Sequence, residues 1–194
     1  MKKDIILAGV GGQGILSIAA TIGTAAVKLG MFLKQAEVHG MSQRGGDVYS
    51  NLRISDAEIF SDLIPKGKAD MIISVEPMES LRYLPMLSMD GWIITNTKPY
   101  INIRNYPDME RVMAEIEGIK NHIAIDAETI ARNLGTSKAA NMVMLGAASP
   151  FLGISYFEIE EAIRFIFRRK GDSIISLNLE ALKAGREFTD AHMN

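Results

Sequence analysis

The first thirty residues constrain the fold more than any other part of the chain. Asp4-Ile5-Ile6-Leu7-Ala8 is a continuous apolar run, followed directly by Gly9-Val10-Gly11-Gly12-Gln13-Gly14. A helical stretch then runs to about Leu29, uncharged from Ile15 to Val27. An apolar run without alternation is what a parallel strand covered on both faces requires. Gly9, Gly11 and Gly14 satisfy G-x-G-x-x-G in the context that motif needs, with a strand before and a helix after. One glycine permits a tight turn, a second lets backbone approach a phosphate, and a third lets helix and strand pack closely. Free N–H groups and the positive end of the helix dipole then attract an anion. The same glycines would also serve a turn needed only for strand–helix packing, and the pattern alone leaves both readings open.

Gly30 closes the helix, and Met31 to Glu37 supplies a second short strand. Tyr49 to Ile54 reads as a strand, with Asp56-Ala57 turning into Glu58-Ile59-Phe60 to make a hairpin. Asp70 to Val75 is another buried strand, followed by a helix carrying Leu81, Leu84 and Leu87. Gly91 to Asn96 is the next strand, Asp108 to Glu117 has helical composition, and His122 to Asp126 is a last parallel strand. From Ala127 onward the chain reads as helical. Ser155-x-x-Glu158 heads one helix as a capping box, and a final helix begins at about Ser173. Alternating strands and helices predict an α/β fold: a Rossmann-like, doubly wound, mostly parallel sheet with a hairpin addition and C-terminal helices. The expected organisation is one domain over residues 1–194, with an α/β core in 1–126 and a helical part in 127–194.

Composition excludes several classes. Hydrophobic residues make up 47% and charged residues 23% of 194, which argues for a folded core rather than disorder. A net charge of −2 gives no broad basic field for nucleic acid or an anionic membrane. No apolar segment is long enough to span a bilayer and no leader pattern is visible, so a cytoplasmic protein is expected. Cysteine is absent, which removes disulfides, thiolate catalysis and any Cys-ligated zinc or iron–sulfur cluster held by this chain alone.

The segment Glu37-Val38-His39-Gly40-Met41-Ser42-Gln43-Arg44-Gly45-Gly46 should leave the carboxyl end of the second strand, at the crevice edge where open α/β sheets bind ligands. His39 and Arg44 could contact phosphate or carboxylate groups, and Gly45-Gly46 permits close backbone approach. Glu37, near the end of that strand, is where a dinucleotide enzyme places its ribose-binding carboxylate. Glu76 and Glu79, at a strand end and the following helix start, read as partners of the helix dipole rather than an acid–base pair. His39, His122 and His192 have no metal-ligand spacing, and no nucleophile–base–orienter set is visible. No catalytic or metal-binding residue is therefore expected.

The glycine turn at 9–14, the stretch 37–46, and Ala69-Asp70 leading into Glu76-Pro77-Met78-Glu79-Ser80-Leu81-Arg82 resemble the small, gamma-type subunit of the 2-oxoacid:ferredoxin oxidoreductases. The His39-Gly-Met-Ser-Gln-Arg-Gly-Gly46 stretch is most similar to the beta subunit of the indolepyruvate branch. The resemblance implies oxidative decarboxylation: arylpyruvate, coenzyme A and oxidised ferredoxin give aryl-acetyl-CoA, carbon dioxide and reduced ferredoxin. It implies a large partner subunit carrying thiamine diphosphate and the iron–sulfur clusters, with no cofactor held tightly by this chain. It also implies that Gly9, Gly11, Gly12, Gln13 and Gly14 contact CoA, with His39, Ser42, Gln43, Arg44, Gly45 and Gly46 beside them. One departure is Asp47, which places a carboxylate near Arg44 where the branch more often has a small hydroxylated residue. The apolar first helix and twelve methionines motivate a subunit interface, with the large partner or as a homodimer in isolation. The competing function is a stand-alone NAD(P)-binding oxidoreductase with Glu37 on the ribose.

Overall fold

The computed structural model describes residues 1–39 and 45–193, His39 by its backbone alone. Six strands form a single mixed sheet: β1 (Lys2–Val10), β2 (Phe32–His39), β3 (Asp47–Ser55), β4 (Ala69–Ser74), β5 (Leu87–Asn96) and β6 (His122–Ile125). Their order is β2-β3-β1-β4-β5-β6. The β1–β4, β4–β5 and β5–β6 pairs are parallel, whereas β3 runs antiparallel to both neighbours, β1 and β2. Helices cover both faces. On one side lie α1 (Ile15–Lys28), α4 (Ala127–Asn133), α5 (Ala140–Ala148), α6 (Tyr156–Phe167) and α7 (Asp172–Met193), sharing a core with Ile5, Leu7, Met71, Ile73 and Ile94. On the other, α2 (Pro77–Arg82) and α3 (Met109–Glu117) accompany a smaller core built on Ile6, Ala8, Ile72 and Ile93. Alternate residues of β1 thus serve opposite cores, which explains its unbroken apolar run.

Two expectations are corrected. The hairpin partner of β3 is β2, not Glu58–Phe60, which forms no strand. With β1 and β2 occupying its two edges, β3 has no ladder left to offer the 58–60 segment. That segment is held by side chains instead: the Arg53 guanidinium donates to the Ser61 and Leu63 carbonyls, and Asn51 Oδ1 accepts from the Ile64 N–H. The helix expected through Leu87 also stops early, at Arg82, with a single 3-10 turn at Leu84–Met86 before β5. Pro85 lacks the N–H that a continuing α-helix would need there. Other boundaries match. Gly30, at φ +74°, closes α1 in a Schellman motif, with Gly30 N–H on Val27 O and Met31 N–H on Ala26 O. Ser155 caps α6 by accepting from the Glu158 N–H. Among the described residues, no helix is long and apolar enough to cross a membrane.

Two features of this packing are energetically specific. Asp4, 1% exposed, accepts from Arg53 Nε at 2.7 Å and Nη2 at 3.1 Å, with Lys2 at 2.8 Å as a second cation. Removing one partner of a buried pair leaves an uncompensated charge, whereas replacing both costs less. Arg53→Met should therefore destabilise the chain by about 3 kcal/mol, and adding Asp4→Leu should recover part of that loss in urea denaturation. Additive destabilisation would contradict the coupling.

The second feature is the crossing of α5 and α7. A β-carbon on Gly185 would lie 1.9 Å from Val143 O, and one on Gly146 would lie 2.0 Å from Leu182 O. Both obstacles are backbone atoms of the facing helix, so no rotamer change relieves them. At an open helical site, Gly→Ala stabilises by roughly 1 kcal/mol. Gly185→Ala should instead destabilise by about 3 kcal/mol, and a gain in stability would contradict this close approach.

Candidate anion-binding site at the glycine loop

The loop between β1 and α1 is braced by its own glutamine. Gln13 Oε1 accepts from the Val10 N–H at 2.8 Å, and Gln13 Nε2 donates to Val75 O at 3.3 Å. Gly9 is required by packing, since a β-carbon there would lie 2.3 Å from Val75 Cγ2. Gly14 ends the loop at φ +83°, ψ +24°, a left-handed conformation that glycine adopts without strain. It is the N-cap of α1, and no side chain caps that end. Ser17 N–H bonds Gly14 O, which leaves the Ile15 and Leu16 N–H groups without an acceptor among the described residues. An uncapped, buried-backed helix start of this kind favours an anion.

Two clefts flank the loop. One, about 450 Å³, is lined by Val10, Gly11, Gly12, Gly14, Ile15, Leu16, Glu37 and Val48. The other, about 360 Å³, brings Gly12, Gln13 and Gly14 against Asn96, Tyr100, Arg132, Lys138 and Asn141. Gly12 borders both, at φ +103°, with nothing within 4 Å of a β-carbon placed on it. Asn141 Nδ2 donates to Gly14 O, tying α5 to the loop. Arg132 is paired with Glu128 at 3.0 Å, whereas Lys138 has no ion-pair partner among the described residues. An available ammonium in the cleft that Gly12 and Gly14 border is a chemically suitable receptor for a phosphate or carboxylate.

The rest of this sheet edge is organised by buried polar side chains. Asn96 donates to Val75 O and to Lys98 O, and its Oδ1 accepts from the Ala127 N–H, so it joins β4, β5 and the start of α4. Glu76 is fully buried; it caps α2 by accepting from the Glu79 N–H at 2.9 Å, and also accepts from the Tyr100 N–H and the Tyr106 hydroxyl. Burial and this hydrogen bond raise the Tyr106 hydroxyl pKa well above the ordinary tyrosine value. The 97–107 connection is thereby held down across the carboxyl edge. Burial raises the Glu79 carboxyl pKa, partly offset by Arg82 at 2.7 Å. The two glutamates therefore cap and clamp, as the dipole reading expected.

The structure brings several expected site residues together. Gly11 N–H donates to Gly46 O at 2.9 Å, continuing the β1–β3 ladder and joining the two glycine stretches directly. Gly45 O accepts from Asn102 Nδ2 at 2.6 Å. Asp47 accepts from the Tyr83 hydroxyl at 3.4 Å, on the α2 side of the sheet. Ser42, Gln43 and Arg44, with the His39 side chain, lie outside the described residues. Gln13 is placed as a brace for the loop, with both ends of its amide engaged within the fold. Lys138, Asn141, Asn96 and Tyr100 were not anticipated. Only Asn96, a polar residue closing the apolar run of β5, carried a local signal in the sequence.

Glu37 does border the 450 Å³ cleft, yet β3 stands between its strand and β1. In a dinucleotide fold the acidic strand is the immediate neighbour of the glycine strand. Here it is two strand spacings away, roughly 10 Å, which weighs against ribose recognition in the usual register.

Comparison with known proteins agrees with this architecture. Residues 4–188 match the family model described as pyruvate ferredoxin/flavodoxin oxidoreductase. The indolepyruvate oxidoreductase subunit IorB of Archaeoglobus fulgidus is 38% identical, over 95% of this chain and 94% of its own length. That of Pyrococcus horikoshii is 36% identical over the whole of both chains. The 2-oxoglutarate synthase subunit KorC of Methanothermobacter thermautotrophicus is 32% identical over 97% and 95%. Among solved structures, a keto/oxoacid ferredoxin oxidoreductase gamma subunit from Geobacter sulfurreducens superposes with a TM-score of 0.71 at 23% identity, covering 97% of this chain and 99% of its own. The 2-oxoglutarate:ferredoxin oxidoreductase of Magnetococcus marinus, solved with 2-oxoglutarate, coenzyme A and succinyl-CoA, gives 0.77 at 22% identity, over 98% of this chain but 31% of that longer one. With the match running nearly end to end, this chain belongs to the pyruvate ferredoxin/flavodoxin oxidoreductase family.

Proposed function

We propose that this chain is the small subunit of a 2-oxoacid:ferredoxin oxidoreductase acting on arylpyruvates such as indolepyruvate, and that its glycine loop holds a phosphate of coenzyme A. Full-length identity to IorB subunits supports the substrate branch. The observation that carries the site is the uncapped start of α1 bordering a cleft that also contains Lys138. The donor set fits the group: the Gly12 N–H and the Lys138 ammonium border one cleft, the Ile15 and Leu16 N–H groups border the other, and a phosphate at the loop would draw on one of these flanks, with Asn141 fixing the loop. Coenzyme A supplies the thiol that accepts the acyl group.

Thiamine diphosphate and the iron–sulfur clusters belong, on this reading, to a large cysteine-containing partner, because this chain has no thiolate to ligate iron. Ferredoxin would be met through that partner, and the assembly would be cytoplasmic. Tyr100, Ile101 and Ile103 on the strap and Leu16 at the loop are exposed beside the clefts, an apolar rim suited to a subunit contact. The chain acts as one gamma-type domain that completes the CoA side of a shared active site and is inactive alone.

Lys138→Met tests the site without disturbing the core, since the Lys138 side chain is exposed in the cleft and has no ion-pair partner among the described residues. In the enzyme reconstituted with its large subunit, it should raise the KM for CoA at least about tenfold, equivalent to one charge-assisted hydrogen bond. Assembly by gel filtration should be unchanged. An unaltered KM for CoA would overturn the assignment of the loop. A second measurement addresses the partnership: the chain should co-purify with a thiamine-dependent, cysteine-rich subunit, and 2-oxoacid oxidation by the chain alone would contradict it.

A further inference from the structure

The strap between β5 and α3, residues 97–107, has neither helix nor strand, and no side chain in it belongs to either hydrophobic core. Lys98 and Tyr100 to Asn105 are exposed. Its hold on the rest of the fold is polar. At its start the Thr97 N–H donates to Ile125 O at 3.0 Å, and Lys98 pairs with Asp126 at 3.2 Å. Farther along, Asn102 Nδ2 donates to Gly45 O, and the Tyr100 N–H and Tyr106 hydroxyl both donate to Oε1 of Glu76.

Glu76 is a costly group with which to make those bonds. Its side chain is fully buried and has no ion-pair partner among the described residues, Arg82 being engaged with Glu79. A buried charge without a counter-ion carries a desolvation penalty that hydrogen bonds offset only in part. Capping α2 does not account for it, because the cap uses Oε2 alone and a short Ser or Thr would serve. What the longer carboxylate adds is its second oxygen, which the strap engages through Tyr100 and Tyr106.

One of those two residues lines the candidate site. Tyr100 stands in the wall of the 360 Å³ cleft with Gly12, Gln13, Gly14 and Lys138, whereas Glu76 is not part of that lining. The Tyr100 backbone is therefore fixed by a buried group that a ligand in the cleft does not touch. The strap also reaches the loop by a second route: Gly45 O takes the Asn102 amide, and the next carbonyl, Gly46 O, takes the Gly11 N–H.

We infer that Glu76 is a positioning residue of the ligand site: it latches the strap so that Tyr100 forms a fixed wall of the loop cleft. The inference rests on the proposed function, with coenzyme A on the Lys138 flank of the loop, and adds a group that acts without contacting the ligand. Releasing the latch lets the wall move, so that ordering it becomes part of the cost of binding. Glu76→Asp separates the two roles of the carboxylate, because aspartate is a good helix cap but is one methylene too short to serve cap and strap together. Tyr106→Phe removes one strap bond and leaves the cap intact.

The test uses the reconstituted two-subunit enzyme and its Glu76→Asp, Tyr106→Phe and Lys138→Met variants. Hydrogen exchange of peptides covering 97–107 should quicken in the first two, while α2 keeps its wild-type protection. The KM for CoA should rise about fivefold in Glu76→Asp and about threefold in Tyr106→Phe, with kcat at saturating CoA within about twofold of wild type. A merely structural cap would instead give faster exchange in α2 with an unmoved KM, and that result would overturn the positioning role. So would unchanged exchange of the strap in both variants, or faster exchange there with an unchanged KM. If Lys138→Met raises the KM in any of these cases, the loop assignment stands. If no variant alters the KM for CoA, both assignments fall.

Discussion

At the carboxyl edge of the sheet, two side-chain amides converge on one backbone carbonyl. Val75 O accepts from Gln13 Nε2 and Asn96 Nδ2, each at 3.3 Å, while the Val75 N–H is spent on Ala8 O at 3.0 Å. The remaining ends of the two amides reach Val10 N–H and Ala127 N–H. One carbonyl thereby ties β1, β4, β5, the glycine loop and the start of α4 into a single rigid corner. Asn96 is buried with both ends of its amide engaged and Gln13 is half-buried with both ends held, so breaking either bond leaves a partly desolvated partner. The loop's backbone N–H groups are thus held in place before any ligand arrives. Preorganised donors bind and orient an anion without an ordering cost at the moment of binding.

The antiparallel β3 has the second far-reaching effect. Inserted between β1 and β2, it carries Gly45 and Gly46 to the glycine loop, where Gly11 bonds Gly46 O. It also moves the Glu37 strand one place outward. A sheet that begins like a dinucleotide-binding unit is converted into one whose crevice opens on both sides of the loop, toward Glu37 on one flank and Lys138 on the other. Glu76 and Asn102 then anchor the 97–107 strap over that edge, leaving exposed Ile101 and Ile103 as an apolar rim.

Much of this was legible in the chain, and the parts that were not share a cause. The unbroken run at 4–8, the glycines at 9–14 and the caps at Gly30 and Ser155 are local signals, and the elements they predict are present. The partner of β3 was misread because pairing depends on strand order, which no local pattern encodes; Glu58–Phe60 was nearer in sequence, but β2 lies beside β3 in space. The close helix crossing at Gly146 and Gly185 was invisible for the same reason, since a glycine inside a helix looks only unfavourable until its neighbour is known. The glycines of the loop could be named from sequence, but Lys138 and Asn141 could not. They reach the loop from more than a hundred residues away through the packing of α5. Gln13 carries a role its place in the motif did not suggest: its side chain braces the turn while also lining the 360 Å³ cleft.

The central claim is that the open N–H groups at the head of α1 receive an anionic group of coenzyme A. Amide chemical shifts of the isotope-labelled chain, within the assembled enzyme, report on those groups one by one as CoA is added. The account predicts saturable shifts at Gly12, Ile15 and Leu16 that are larger than at the opposite end of the sheet, around Asp70 and Asp90. Binding of CoA that leaves these three amides unmoved would contradict it.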